Sequence, residues 1–128
     1  TARPPGDRKA FQRVFEAVVR RWTEDPAPPP EIVGWDDFRA TVASGLKKLL
    51  SRNGRGSRTA VFTSGGPISA AVQEVLGLPT EETFRLAWII RNASVTEFLY
   101  DGERISLLSF NGTAHLEREG DPSVITYR

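Results

Sequence analysis

The chain contains no cysteine and no methionine, and His115 is its only histidine. Without cysteine there is no disulfide framework, no thiolate nucleophile and no sulfur-ligated metal. A metal ion would have to be held by carboxylates. The acidic pairs Asp36/Asp37 and Glu81/Glu82 instead fall where helix starts favour negative charge, so neither a metal site nor a cofactor is expected. Long apolar runs are also missing. Leu86 to Ile90 is far too short to span a bilayer, and no leader sequence is visible, so no membrane partner is expected and a reduced cytoplasmic setting fits. Gly-x-Ser-x-Gly is absent around Ser64, which excludes a nucleophile elbow, and no Gly-x-x-x-x-Gly-Lys excludes a P-loop. Thr1 in place of an initiator methionine leads to the expectation that the chain is a piece of a longer polypeptide, lacking an N-terminal segment of the same protein.

What is present reads as one soluble, packed domain. Hydrophobic residues make up 39% and charged residues 26%, close to globular averages and unlike disordered chains. The net charge of +1 hides an asymmetry: residues 1–58 carry twelve cations against seven carboxylates, and residues 59–128 five against nine. Opposed surfaces that pack together explain this, as does a field that attracts phosphate. A nucleic-acid partner is not expected, because stacking aromatics are not interleaved with the basic residues.

The opening Thr1 to Gly6 is Pro-rich and expected to be extended or disordered. Phe11, Val14, Phe15, Val18, Val19 and Trp22 then recur at helical spacing over about Asp7 to Thr23. Pro26, Pro28, Pro29 and Pro30 forbid regular structure from Glu24 to Gly34. A second helix is predicted from Trp35 to Arg52, with Asp36 and Asp37 in its first turn and Lys47, Lys48 and Arg52 in its last. Those cations, with Arg55 and Arg58, read either as an anion-binding cluster or as a solvated helix end. Arg58 to Thr63 is a β-branched and apolar run expected to be a buried parallel strand. It feeds Ser64-Gly65-Gly66-Pro67 and a helix running to Gly77. A further helix over Glu81 to Trp88 precedes two strands, Ser94 to Tyr100 and Arg104 to Phe110, joined by Asp101-Gly102 with the expectation of a type I′ turn.

Thr63-Ser64-Gly65-Gly66-Pro67 is the most informative stretch. A strand that stops at glycines and opens a helix leaves backbone N–H groups converging on one spot, which favours an anion. Gly65 and Gly66 let a ligand approach the backbone closely, Pro67 has no donor to leave unpaired, and the Thr63 and Ser64 hydroxyls can donate to a phosphate oxygen.

The string Arg-Thr-Ala-Val-Phe-Thr-Ser-Gly-Gly-Pro-Ile-Ser-Ala-Ala-Val-Gln-Glu-Val-Leu-Gly-Leu-Pro (residues 58–79) resembles the second conserved block of the histidine phosphatase superfamily, the phosphoglycerate mutase-like proteins. Residues 91–98 and the segment Phe110-Asn111-Gly112-Thr113-Ala114-His115-Leu116 are similar to the family's closing region. The resemblance implies an α/β fold of three layers, αβα, with a mixed, mostly parallel sheet, of which this chain is an incomplete, C-terminal part. It also implies phosphomonoester hydrolysis or mutase chemistry through a phosphohistidine, with a small phosphorylated substrate. The family's Arg-His-Gly segment is absent here, so this chain alone is expected to be inactive. Ser64 stands where the family carries its second histidine. A hydroxyl can bond a phosphate oxygen but cannot supply an imidazolium charge. Two readings remain: a variant phosphatase with Thr63, Ser64, Gly65 and Gly66 on the phosphate, or a non-catalytic domain that keeps the fold to bind a phospholigand or a protein. A homodimer is one assembly open to either.

His115, in the implied closing element, is expected to be structural, orienting Asn111 or Thr113 or capping a carbonyl. Arg91 is a candidate substrate contact, or equally an arginine paired with a nearby glutamate. Trp22, Trp35 and Trp88 lie on apolar faces or runs and are expected in the core.

Overall fold

The computed structural model describes residues 5–127, in two compact units, Thr1–Ala40 and Thr41–Arg128. The architecture is mixed α/β, with helices α1 (Pro5–Glu24), α2 (Trp35–Arg52), α3 (Gly65–Leu76), α4 (Thr80–Ala87) and α5 (Ala114–Glu117). Strands β1 (Val95–Tyr100) and β2 (Ile105–Gly112) form a two-stranded antiparallel sheet. No helix among the described residues is long and apolar enough to cross a membrane.

In the first unit, the disorder expected over the opening falls at residues 1–4 outside the described residues, while Pro5 and Gly6 stand in the first turn of α1. The predicted apolar stripe forms, but Phe11, Val14 and Val18 stay 59%, 64% and 59% exposed. Of its apolar residues only Val19 and Trp22, toward the C-terminal end, are half-buried. There the Trp22 ring meets Trp35 edge-on at 5.3 Å and Phe38 at 6.1 Å, and its indole N–H donates to Val33 O at 2.8 Å. Buried Gly34 lets the Pro28 ring approach the backbone closely, since a Cβ at residue 34 would lie 3.2 Å from it. α2 begins in this unit at the predicted residue and continues into the next.

The second unit is built on α3, which packs against α4 and β2. Its buried face is Ser69, Ala70, Val72 and Gln73, so the core is small and partly polar. Ser69 Oγ donates to Gly65 O at 2.7 Å and Gln73 Nε2 to Leu78 O at 3.0 Å, while the Gln73 side-chain oxygen is buried without a hydrogen-bond partner among the described residues. Buried Thr83 donates to Pro79 O at 2.9 Å, closing the first turn of α4. Gly77, left-handed at φ 64°, ends α3 as the sequence predicts. α3 starts earlier than expected, because Gly65 and Gly66 are already helical and Pro67 is the third residue rather than the first.

Two expectations fail in informative ways. Arg58 to Thr63 is not a buried strand: it has no regular structure, Val61 is 58% exposed and Phe62 96%. β propensity needs a neighbouring strand to become a ladder, and among the described residues none lies beside this segment. The mostly parallel sheet expected from the resemblance is therefore not present among the described residues. The hairpin forms, but not through a type I′ turn. Asp101 N–H donates to Arg104 O at 3.1 Å, which centres the turn on Gly102 and Glu103, and only Gly102 (φ 95°) is left-handed. Type I′ needs positive φ at both central residues, which glutamate resists. The Asp101 carboxylate holds the turn instead, accepting from the Glu103 and Arg104 N–H groups at 3.3 and 3.0 Å.

Candidate functional site

The turn into α3 is built as an open helix start. Ser64, the residue before the helix, is extended (φ −100°, ψ 173°), and its side chain makes no capping hydrogen bond. Ile68 N–H reaches back to Ser64 O at 3.3 Å. Pro67 has no N–H, which leaves the Gly65 and Gly66 amides as the first donors of the helix, without acceptors among the described residues. Gly65 is buried and Gly66 half-buried, whereas Thr63 and Ser64 are exposed. Neither glycine uses left-handed backbone, so their contribution is the missing side chain. The arrangement leaves two amides at the positive end of a helix, just after the exposed Thr63 and Ser64, a chemistry that suits an oxyanion but supplies no nucleophile or charged acid.

Arg91, Asn111, Thr113 and His115 gather elsewhere, in a clasp that closes the second unit. Asn111 is left-handed at φ 57°. Its side chain accepts from Arg91 N–H at 2.8 Å and donates to Ile89 O at 2.7 Å, so one amide group bonds across the residues that lead into β1. Arg91 Nη1 donates to the buried Thr113 hydroxyl at 2.8 Å, and Thr113 donates to Glu117 Oε1 at 2.9 Å. The same guanidinium lies 3.9 Å from Glu117 and donates through Nε to the Tyr127 hydroxyl at 3.2 Å. Arg91 thus pairs with a glutamate, one of its two expected readings. His115 Nε2 stands 2.9 Å from Ala93 O, so the proton sits on Nε2 and the ring caps the carbonyl of a residue at φ 56°. Tyr127 and Thr126, which bonds Asn92, join this clasp with no signal in the sequence. A separation of 36 residues between Arg91 and Tyr127 leaves no periodicity to read.

The cations Lys47, Lys48, Arg52, Arg55 and Arg58 are exposed, and none has an acidic partner among the described residues. They are separate in sequence from the turn by residues 59–62.

No curated protein matches the chain, and no solved structure does. A family model does, that of the histidine phosphatase superfamily (branch 1), over residues 6–113. The match takes in the second helix, the glycine turn and helix α3, the hairpin and Asn111 to Thr113, and on this evidence of sequence the chain belongs to the histidine phosphatase superfamily.

Proposed function

We propose that the chain provides the phosphate-binding part of a phosphomonoester hydrolase or mutase that works through a phosphohistidine. The observation that carries this reading is the open start of α3. The Gly65 and Gly66 amides lack acceptors among the described residues, and Ser64 keeps its hydroxyl free of a capping role. A phosphoryl oxygen there gains two amide donors, two hydroxyls and the helix field, each useful as negative charge develops during transfer.

The nucleophile comes from elsewhere. His115 is the only histidine, sits outside any Arg-His-Gly and holds the Ala93 carbonyl. In this proposal a segment outside these residues carries the Arg-His-Gly histidine and adds its strand beside residues 58–63, completing a mixed, mostly parallel sheet between helical layers. The substrate is a small phosphorylated compound, and the setting is cytoplasmic.

A second reading is favoured by one residue. Ser64 replaces the family's second histidine and removes a cation from the phosphoryl site, as in a domain that binds phospholigands without turning them over. Hydrolysis of an aryl phosphate separates the two, measured on this chain and on the longer polypeptide bearing the upstream segment. Activity in the longer form, altered by both Ser64→Ala and Ser64→His, is the expected result. Inactivity of every form, with phosphate still binding, would establish the non-catalytic reading.

A further inference from the structure

Asn-Gly occurs twice in the chain, at residues 53–54 and 111–112. The pair carries its own chemistry, because the carboxamide carbon of the asparagine can approach the backbone nitrogen of a following residue that has no Cβ. The fold treats the two pairs in opposite ways. Asn111 is locked. Its carboxamide accepts from Arg91 N–H and donates to Ile89 O, so turning its carbon toward Gly112 breaks two hydrogen bonds. Gly112 also has a packing reason to be glycine: it pairs with Val95 in the hairpin, and a Cβ there would lie 3.4 Å from Val95 O.

Asn53 follows the last residue of α2, and its Nδ2 donates to Leu49 O at 2.6 Å, the one hydrogen bond of its carboxamide among the described residues. Gly54 is exposed, and its N–H has no acceptor among the described residues. Nothing in the fold requires glycine at this position. Its backbone is not left-handed, and a Cβ would meet nothing within 4 Å. The exposed cations Lys48, Arg52 and Arg55 flank the pair in sequence, a field that favours negative charge developing at the Gly54 nitrogen.

We propose that Asn53 is a self-modification site, where the chain deamidates through a cyclic imide, and that the clasp protects Asn111 from the same reaction. Gly54 N gives its proton to hydroxide and attacks Asn53 Cγ. The N–Cγ bond forms, the Cγ–Nδ2 bond breaks, and Nδ2 leaves as ammonia after taking a proton from water, which regenerates the hydroxide. Water then opens the ring at either carbonyl and leaves aspartate or isoaspartate at position 53. Either product alters the end of α2. A carboxylate cannot donate to Leu49 O, and it places negative charge at the helix end whose dipole disfavours it. In the isoaspartyl product the main chain runs through Cγ, so the Asn53 carbonyl that accepts from the Tyr100 hydroxyl at 3.1 Å becomes part of a side-chain carboxylate. Ser57 Oγ lies 3.0 Å from the same hydroxyl. The modification therefore falls on the tie between the loop after α2 and the end of β1.

The test incubates the whole chain at neutral and mildly alkaline pH and maps its peptides by mass spectrometry, with chromatography to separate aspartyl from isoaspartyl products. Asn53 should exchange its amide for a carboxyl, faster at the higher pH, while Asn111 stays intact. In urea, which opens the clasp, the difference between the two should vanish. Gly54→Ala should slow the reaction at Asn53 severalfold without lowering the urea midpoint, and Asn53→Asp should lower that midpoint. Equal modification of both asparagines in the folded chain, reaction of Asn53 only in urea, or an undiminished rate in Gly54→Ala would overturn the proposal. An Asn53→Asp midpoint equal to the parent's would overturn its structural consequence.

Discussion

Replacing Asn111 separates two things that this residue does at once. Its side chain makes hydrogen bonds of 2.8 and 2.7 Å to Arg91 N–H and Ile89 O. Its backbone is held at φ 57°, where asparagine is tolerated and alanine is not. Asn111→Ala loses both bonds, about 1–3 kcal/mol together for a half-buried site, and adds a backbone penalty of about 1–2 kcal/mol. The expected loss is about 2–5 kcal/mol. Asn111→Gly loses the same bonds but is at ease at positive φ, so it should be the milder change by about 1 kcal/mol. Urea unfolding followed by tryptophan fluorescence measures both. Equal destabilisation by the two variants would refute the backbone part of the reasoning, and losses below about 0.5 kcal/mol in both would refute the claim that the clasp stabilises this unit.

Val72, 1% exposed on α3, should lose about 2 kcal/mol on truncation to alanine, from two buried carbons plus the cavity they leave; denaturant midpoints check it. Thr83→Val keeps the shape of a residue 1% exposed but deletes the bond to Pro79 O, and a loss of about 1 kcal/mol is expected in the same assay. Asp101 is held below the usual carboxylate range first by the Arg104 side chain and then by the Arg104 and Glu103 N–H groups. A depressed carboxyl stabilises the fold above its unfolded value and loses that contribution as pH falls through its folded one. Asp101→Asn should therefore be less stable than the parent at pH 7, with the difference shrinking through the carboxylate range; a difference independent of pH would contradict this.

Periodicity made the helices legible. α2 was readable to the residue because an acidic first turn, an apolar stripe and a basic last turn agree, and the hairpin because two alternating runs flank Asp101-Gly102. What depends on a partner was not legible. Arg58 to Thr63 has strand chemistry and no ladder, since the sequence does not say which edge it meets. The turn type escaped because the central pair is Gly102-Glu103 rather than Asp101-Gly102. The glycine turn was found, but α3 claimed Gly65 and Gly66 as helix because Pro67 can sit anywhere in a first turn. Arg91 and His115 were visible only as alternatives. Their partners Glu117, Tyr127 and the Ala93 carbonyl are brought in by the fold from distant positions.

The central claim is that phosphate binds at the start of α3, and amide chemical shifts during a titration with inorganic phosphate test it most directly. The largest saturating shifts are expected at Gly65 and Gly66, reduced in Ser64→Ala. Shifts confined to the exposed cations of residues 47–58, or none at the two glycines, would contradict it.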